Sequence, residues 1–326
     1  MKVLSTYCQL KFLENIFANI PGAPFNNVIF DENNDYQDWI YLCEIIFSNS
    51  MLYIDDINGL VEKSKNNPFF QKLINRNNSG GSIINEESLI DSINDDNDFV
   101  CKIKPTSLHY YNDDLINANV GLFFETANTW RNSIRNISAR KSFSIHRDNR
   151  FCTFPGWNFI DNLKLRLPTN AAIISDRYFL QRENNYQNNI YSILNNILPL
   201  ELTNCSFHLS IITRFDNIYK FDQAYNSINN YLIRSFNYKI DFTLYNAGRD
   251  CPHDRDIVTN YYRLNSGNSF DYYNRNGNII CNTQLEYFAL NSESQNNHSL
   301  KLKLFKEVMI KSESIGPKKN RLIQNI

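Results

Sequence analysis

Short apolar runs alternate, along the second half of the chain, with segments in which apolar residues recur every three or four positions. The runs are rich in β-branched and aromatic residues, which is typical of buried strands, whereas the spacing of three to four is typical of amphipathic helices. The pattern predicts strands at residues 171–180, 207–213 and 239–245 and helices at residues 189–198 and 224–236. Because strands and helices alternate, we expect a parallel, layered α/β unit.

The first half of the chain shows a similar pattern. Apolar runs at residues 27–30, 51–54 and 120–124 are separated by helical patterns at residues 38–48, 59–65 and 128–137. This half is expected to form a smaller α/β or mainly helical unit. Pro155, Gly156 and Pro168 interrupt the pattern between the halves, and such residues mark turns and linkers. We therefore predict an α/β protein of two domains, residues 1–155 and 156–300, with a basic C-terminal tail at residues 301–326.

The composition is that of a folded protein with little net charge. Of the 326 residues, 42% are hydrophobic and 14% aromatic, which is enough for packed cores. The formal net charge of −1 argues against attraction of the whole surface to nucleic acid or membranes, so such binding needs local patches. One basic patch contains Arg131, Arg135, Arg140 and Lys141, which are candidate contacts to a nucleic-acid backbone, and the other is the tail. A solvated helix face and a frayed terminus are the alternatives.

Cysteine usage and hydropathy indicate the compartment. The 7 cysteines are scattered and form no closely spaced pair, which is typical of reduced thiols inside a cell. The sequence shows neither a signal peptide nor an apolar window long enough for a transmembrane helix. Its bias toward asparagine, isoleucine, lysine and tyrosine is typical of an AT-rich bacterial genome. We expect a soluble, cytoplasmic bacterial protein that does not enter membranes.

The segment at residues 251–267 carries the clearest candidate chemistry. His253 and Arg255 are two residues apart where the pattern predicts a strand, so both side chains are expected on one face. An arginine fork binds two phosphate oxygens, and a neighbouring imidazole attacks phosphorus or shuttles a proton. The pair is therefore a candidate phosphate site. The alternative is a strand end at which Asp254, Arg255 and Asp256 form a solvated cluster of ion pairs.

This segment resembles the signature of the phospholipase D superfamily, in which a histidine, a lysine, an aspartate and a glycine follow one another at fixed spacing. His253, Arg255, Asn260 and Gly267 stand at these positions, with Ser266 and Ser269 beside the glycine. The resemblance covers the second half of the chain and implies a phospholipase D-like layered β-α-β half. It implies catalytic roles for His253, Arg255 and Asn260, and phosphate contacts for Arg255, Ser266, Gly267 and Ser269.

The chain departs from the family at two of these positions, at position 270, where Phe270 stands in place of the family's distal asparagine, and in the number of motifs. Arg255 stands where the family has lysine and Asn260 where it has aspartate, so no carboxylate is present there to raise the basicity of the imidazole. Active members pair two motifs, and this chain contains one recognisable copy. The resemblance therefore implies a degenerate module, or a complete site formed only when two chains meet across a twofold axis.

Three functions fit these observations. The first is a phosphate- or nucleic-acid-binding module without turnover in a bacterial assembly, with antiviral (phage) defence as the context that analogy with the family suggests. The second is a phosphodiesterase or nuclease whose active site is completed in a homodimer, so enzymatic activity is left open. The third is a non-catalytic interaction subunit of a larger complex, with partner contacts at Tyr261, Tyr262, Tyr272 and Tyr273.

Carboxylates follow the apolar runs of the first half. Asp31, Asp55, Asp56 and Glu125 each stand just after such a run. Ligand sites gather at the carboxyl ends of parallel strands, so these acids are candidates to hold a divalent metal for phosphodiester cleavage, as in PIN-like metal-dependent nucleases. The alternative is that acids stand there because loops begin there. Apart from this conditional metal, no cofactor is expected.

Overall fold

The chain divides into two units near residue 138. The computed structural model describes residues 4–18, 35–78, 83–85, 103–104, 106–111, 122–126, 128–137, 139–162, 168–203, 205–290 and 292–324. The first unit contains residues 1–118 and 122–138, and the second contains residues 119–121 and 139–326.

A parallel sheet forms the centre of the first unit. Its described strands are β1 (Ser5–Cys8), β2 (Met51–Ile54), β3 (Ile83–Asn85), β4 (Ser107–Tyr111) and β5 (Phe123–Thr126). Their order is β3-β2-β1-β4-β5, and every neighbouring pair is parallel. The described helices are α1 (Leu10–Ala18), α2 (Asp35–Glu44) with a π-helical continuation (Ile45–Asn49), α3 (Ile57–Ser64), α4 (Pro68–Asn78) and α5 (Trp130–Ile137). Parallel strands need crossover segments, which explains why apolar runs and helical patterns alternate in the sequence.

One row of rings crosses this sheet. The parallel register places Tyr53, Tyr7, His109 and Phe124 side by side on β2, β1, β4 and β5. Neighbouring rings are stacked, with centroids 4.4, 4.8 and 4.8 Å apart. Burial lowers the pKa of His109 to about 3, so its ring packs as a neutral aromatic group. The sheet confirms the α/β class, and the mainly helical alternative for this half is wrong.

Most predicted elements of the first half are present. The run at residues 51–54 is β2, and the helical patterns at residues 59–65 and 128–137 correspond to α3 and α5. The predicted helix at residues 38–48 is α2 with its π-helical continuation. Residues 123 and 124 of the third apolar run belong to β5. The predicted strand at residues 27–30 lies outside the described residues.

A mixed sheet forms the centre of the second unit. Its described strands are β6 (Arg140–Ile145), β7 (Ala171–Ser175), β8 (Phe207–Thr213), β9 (Ile240–Asn246), β10 (Arg255–Thr259), β11 (Tyr262–Ser266), β12 (Thr283–Ala289) and β13 (Glu313–Ile315). Their order is β13-β9-β8-β7-β10-β11-β12-β6. Strands β7, β8 and β9 are parallel to one another, and the other pairings are antiparallel.

Two crossovers build the parallel part of this sheet. The described helices of the unit are α6 (Phe159–Asn162), α7 (Ile190–Ile197), α8 (Ile218–Ser235), α9 (Ser292–Lys311) and α10 (Arg321–Gln324), with 3-10 turns at Asn149–Phe151, Glu183–Asn185 and Gly248–Asp250. Helix α7 connects β7 to β8, and α8 connects β8 to β9, as the alternating pattern predicts. Helix α8 begins earlier than predicted because Asn217 caps it, accepting a hydrogen bond from the Tyr219 N–H at 2.8 Å. Within the described helices of either unit, none is long and apolar enough to cross a membrane.

The predicted basic tail is instead an integral part of the second unit. On α9, Leu302 and Phe305 are buried in the same apolar cluster as Ile173 of β7 and Val258 of β10. Beyond α9, β13 pairs with β9. The basic residues that suggested a tail lie on or around a helix whose other face closes the core, so the prediction of a separate tail is wrong.

The boundary between the units lies before the predicted one at residue 155. Strand β6 pairs with β12 over six register positions, so residues 140–145 belong to the second unit. Pro155 and Gly156 lie in a loop of that unit rather than in a linker, and Gly156 has a φ of +90° that favours glycine. The boundary predicted from Pro155 and Gly156 therefore lies too far along the chain.

Candidate anion-binding site

Arginines follow two neighbouring parallel strands of the second unit, at the edge where those strands end. Strand β7 ends at Ser175 and Arg177 follows two residues later, whereas β8 ends at Thr213 directly before Arg214. Strand β10 runs antiparallel to β7 and begins at this same edge with Arg255. In open α/β sheets, ligand sites lie outside the carboxyl ends of the parallel strands. Three arginines thus occupy the part of the fold where a ligand site is expected.

Arg177 contacts the imidazole of His253. The Nη1 atom of Arg177 lies 3.1 Å from Nε2 of His253, and His253 is exposed. Because a guanidinium group only donates hydrogen bonds, Nε2 is the acceptor, and the neutral ring carries its proton on Nδ1. The lone pair of Nε2 is therefore occupied by Arg177 rather than available to attack a substrate.

Asp176 fixes the turn that carries Arg177. The Asp176 side chain is 1% exposed. It accepts hydrogen bonds from the Tyr178 N–H at 2.9 Å, the Ser269 hydroxyl at 2.8 Å and the Phe270 N–H at 2.7 Å. Burial raises the pKa of Asp176, although these hydrogen bonds and the nearby positive charge of Arg255 act in the opposite direction. The carboxyl group thus ties the loop at residues 269–270 to the edge of β7.

Two guanidinium groups at this edge have unused donors. Arg255 is half-buried, and its Nε–H has no acceptor among the described residues. The Nε–H of Arg177 is also buried without an acceptor in the described part of the chain. A buried donor without a partner destabilises a structure by about 1–3 kcal/mol. A bound anion would supply the missing acceptors.

The acids on either side of Arg255 have a different partner. On α9, the Nζ of Lys301 lies 2.6 Å from Oδ2 of Asp254 and 2.9 Å from Oδ2 of Asp256. Asp256 is fully buried and also lies 3.3 Å from Nη1 of Arg263. The hydrogen bond from Lys301 and its positive charge lower the pKa of Asp254. Neither acid is ion-paired with Arg255, and the alternative of a solvated cluster is wrong for Asp256.

The thiol of Cys251 lies among the same groups. Burial raises the pKa of Cys251 to about 12, the negative charge of Asp176 adds to this effect, and Arg177, Arg214 and Arg255 oppose it. The three arginines therefore act electrostatically on the same thiol. A raised pKa favours the protonated thiol, which is a weaker nucleophile than the thiolate.

The structure separates the residues predicted to be catalytic. Strand β10 begins at Arg255, so His253 lies in the preceding loop, and the prediction that both lie on one face of a strand is wrong. Asn260 is fully buried, and its Oδ1 accepts hydrogen bonds from the Asn170 and Ala171 N–H groups at 3.0 and 3.1 Å. It therefore ties the end of β10 to the start of β7. Asn260 lies five positions, about 16 Å, beyond Arg255 along the extended chain, so it is not placed to orient the imidazole.

The three small residues predicted to contact phosphate have partners within the protein. The β10–β11 register places Ser266 opposite Arg255, and the Ser266 Oγ accepts a hydrogen bond from a tyrosine hydroxyl at 2.7 Å. The Gly267 N–H donates to a backbone carbonyl of β12 at 3.0 Å. The Ser269 hydroxyl donates to the buried carboxyl group described above. Ser266 thus shares the edge with Arg255, whereas Gly267 and Ser269 use their donors to hold the loop.

The predicted basic patch is divided between the two units. Arg131 and Arg135 lie on α5 of the first unit, and Arg140 and Lys141 lie on β6 of the second. The Nη2 of Arg135 lies 2.6 Å from the buried carboxylate of Asp38, so its charge is paired inside the first unit. Arg131 and Arg140 are exposed, and Lys141 is half-buried. Contact of these four residues with nucleic acid stays a prediction.

The described acids of the first unit do not converge on a metal site. Asp55 accepts a hydrogen bond from a backbone N–H of α1 at 2.7 Å, and Asp56 caps α3. Strands β1 and β4 lie between β2 and β5, which places Asp55 about 14 Å from Glu125. Burial raises the pKa of Glu125 to about 7. In the described ranges, no three metal-ligating side chains lie together, and Asp31 lies outside these ranges.

The tyrosines predicted as partner contacts are mostly core residues. Tyr261, Tyr262 and Tyr272 are at most 1% exposed. The ring of Tyr272 stacks on Trp157 with an interplanar angle of 4°. Tyr273 is half-buried. The prediction of an aromatic interaction surface is therefore wrong for Tyr261, Tyr262 and Tyr272, because their rings fill the interior of the second unit.

Comparisons with known proteins assign no family. No protein-family model matches the chain, and no curated protein matches it. Among solved structures, the chain is similar to TrmBL2, an archaeal chromatin protein described as showing a novel mode of DNA binding, with 10% sequence identity and a TM-score of 0.28. The match covers 54% of this chain and 54% of that protein. A similarity of this size carries no argument about fold or function.

Sequence reasoning missed Arg177, Arg214 and Lys301. The two arginines carry a usable signal, because each follows within two residues of an apolar strand. The same position, directly after an apolar run, identifies the candidate acids of the first half of the chain. Lys301 carries no such signal, since only the packing of α9 brings it to Asp254 and Asp256.

Proposed function

We propose that the second unit is a degenerate phospholipase D-like module that binds a phosphate-bearing ligand, a nucleic acid, without turning it over. The observation that carries the proposal is the pair Arg177 and Arg255, whose buried Nε–H groups have no acceptor among the described residues. These groups lie at the sheet edge where ligands bind. Phosphate oxygens are the acceptors that a guanidinium fork binds in pairs.

The charge balance of this edge favours an anion. The carboxyl group of Asp176 is buried and holds three hydrogen bonds, and it forms no ion pair with the described arginines, although the charge of Arg255 acts on it. Asp254 and Asp256 are paired with a lysine of α9. Arg214 pairs with an exposed aspartate at 2.8 Å, and such surface pairs are worth only about 0–1 kcal/mol. Arg214 is therefore free to turn toward a phosphate at little energetic expense.

The same geometry supports binding rather than hydrolysis. Direct attack on phosphorus needs a free imidazole lone pair and an acid for the leaving group. The Nε2 of His253 accepts a hydrogen bond from Arg177, and Asn260 lies at the far end of β10. In this arrangement His253 serves as an Nδ1–H donor to a phosphate oxygen. The bacterial antiviral assembly is the context that the family resemblance suggests.

A titration with a fluorescently labelled single-stranded oligonucleotide tests the proposal. The substitution Arg255→Lys keeps the charge but removes the fork, so it should weaken binding by about 1–3 kcal/mol. The matched control is Arg234→Lys, because Arg234 is exposed on α8, and its affinity should equal that of the wild type. Equal affinity of Arg255→Lys and wild type, or the absence of binding, would refute the proposal.

Salt dependence separates the arginine site from general contact with the nucleic-acid backbone. Lys141→Gln should lower affinity modestly and reduce the slope of log affinity against log salt concentration by roughly one. Arg255→Lys should leave that slope nearly unchanged, because the number of cationic groups is the same. A slope that falls equally in both variants would indicate that Arg255 acts only as a general charge.

A further inference from the structure

A polar cavity of the second unit lies apart from the arginines. Its volume is about 440 Å³, within the range of about 300–1,000 Å³ typical of small-molecule sites. Three segments line it, at residues 156–158, 187–196 and 273–277. None of the described residues that line this cavity carries a charge. Its occupant is therefore expected to be neutral and polar.

Several polar groups of the lining are unused by the protein. Gln187 is exposed, and its side-chain amide carries both donors and an acceptor. The Nδ2 of Asn188 donates to the carbonyls of residues 274 and 275 at 2.9 and 3.1 Å, which leaves its Oδ1 as an acceptor. The Nδ2 of Asn196 donates to a carbonyl of α7 at 2.7 Å, which leaves its Oδ1 as an acceptor as well. The cavity thus offers both donors and acceptors without charge.

The walls of the cavity are held by hydrogen bonds and by backbone conformation. Asn189, which is 2% exposed, accepts from the Tyr273 N–H at 3.0 Å and donates to the Tyr273 carbonyl at 2.7 Å. It also donates to Asp271 at 2.8 Å. Gly156 and Gly277 have φ values of +90° and +79°, a region that other residues rarely adopt. Turns and one helix thus form the walls of the cavity, and these hydrogen bonds tie two of its segments together.

We infer that this cavity binds a nucleobase, an uncharged planar ring that carries donors and acceptors on its edge. Asparagine and glutamine amides pair with base edges, and aromatic rings stack on base faces. The inference rests on the proposed function in one respect, since the arginine site would hold the phosphate of the same ligand. Ser269 contacts the arginine site through Asp176, and Tyr273 lines the cavity. The four intervening steps of chain span at most about 14 Å, a distance that a short oligonucleotide covers.

Uncharged nucleosides test the cavity without involving the arginines. Adenosine, cytidine, guanosine and uridine are titrated into the full chain, with binding followed by saturation-transfer nuclear magnetic resonance. At least one nucleoside should bind, and Gln187→Ala should weaken it about three- to tenfold, the effect of one lost hydrogen bond. Gln187 is exposed, so its substitution leaves the core intact. Asn230→Ala, at an exposed position on α8, is the control and should bind like the wild type.

The outcomes separate this inference from the proposed function. Absence of nucleoside binding, equal affinity in all variants, or binding of methyl glycosides in place of nucleosides would overturn the nucleobase assignment. Arg255→Lys should leave nucleoside affinity unchanged while it weakens oligonucleotide binding. If nucleosides bind but oligonucleotide affinity is unchanged by Arg255→Lys, the proposed phosphate site is refuted and the nucleobase cavity is supported. If oligonucleotide affinity depends on Arg255 and no nucleoside binds, only the nucleobase cavity is refuted.

Discussion

Replacement of Lys301 by methionine tests the charge network that supports β10. The Nζ of Lys301 lies 2.9 Å from the fully buried Asp256 and 2.6 Å from Asp254. Methionine keeps the length of the apolar stem and removes the ammonium group, so the change removes charge rather than packing. Because Asp256 and Arg255 are neighbours on β10, loss of this network acts on the strand that carries the candidate site.

The expected loss of stability in Lys301→Met depends on the contacts that Asp256 keeps. Removing one partner of a buried ion pair usually destabilises a protein by about 3–5 kcal/mol, because the other partner is left as an unpaired buried charge. Arg263 at 3.3 Å and Asn265 at 2.9 Å still contact Asp256, so we expect the lower end of this range, about 3 kcal/mol. The exposed pair with Asp254 adds at most about 1 kcal/mol. For a unit of this size, the loss corresponds to a fall in Tm of roughly 6–12 °C.

Urea unfolding of wild type, Lys301→Met and Lys303→Met measures the effect. Lys303 is exposed on the same helix, so its substitution is the matched control and should change stability by less than about 0.5 kcal/mol. The double variant Lys301→Met with Asp256→Asn should lose less stability than the sum of the single variants, since the buried charge is then removed as well. If Lys301→Met and Lys303→Met unfold at the same urea concentration, the network does not support β10 and this reasoning is refuted.

Three further outcomes are expected. Burial raises the pKa of Glu125 from 4.5 to about 7 in the folded state. The contribution of Glu125 to stability, on the order of 3 kcal/mol, is therefore present below pH 4.5 and lost as the pH rises through 7. Glu125→Gln should abolish this loss in urea unfolding at pH 5 and pH 8, and an unchanged pH dependence would contradict the expectation. Asn260→Ala leaves two buried N–H groups without their acceptor and should destabilise the fold by about 3 kcal/mol in the same assay, whereas a loss below about 1 kcal/mol would contradict the structural role. Incubation with a labelled oligonucleotide, with and without Mg²⁺, should show no cleavage; cleavage that resists a chelator and disappears in His253→Ala would instead establish the alternative of a phosphodiesterase completed by dimerisation.

The sequence predicts the alternating part of the second unit well, because local periodicity determines it. The apolar run at residues 207–213 coincides with β8, and the helical pattern at residues 189–198 closely matches α7. These elements bury one face or both faces along their whole length, so their patterns are strong. Strand β6 was missed, because its burial alternates weakly and its pairing with β12 connects residues about 140 positions apart.

The candidate site is predictable only in part. The spacing of His253 and Arg255 draws attention to the right edge of the sheet, yet it assigns Asn260 to the same site. The extended strand β10 decides otherwise, since Asn260 follows its last residue and so lies at the end opposite Arg255. Which end of β10 lies at the edge with Arg177 is set by its antiparallel pairing with β7, a tertiary property that no local pattern contains. The same applies to Arg177, whose contact with His253 joins segments 76 positions apart.

The most direct test of the central claim is the response of the His253 ring to inorganic phosphate. The chain contains 5 histidines, and His109, His208 and His298 are buried with lowered pKa values, so His253 and His146 are the remaining two. Nuclear magnetic resonance of the imidazole groups, with His253 assigned by His253→Asn, follows a phosphate titration. The His253 signals should shift and saturate while those of His146 do not, and Arg255→Lys should weaken the response. A His253 signal that stays unchanged at phosphate concentrations that inhibit oligonucleotide binding would contradict phosphate binding at this site.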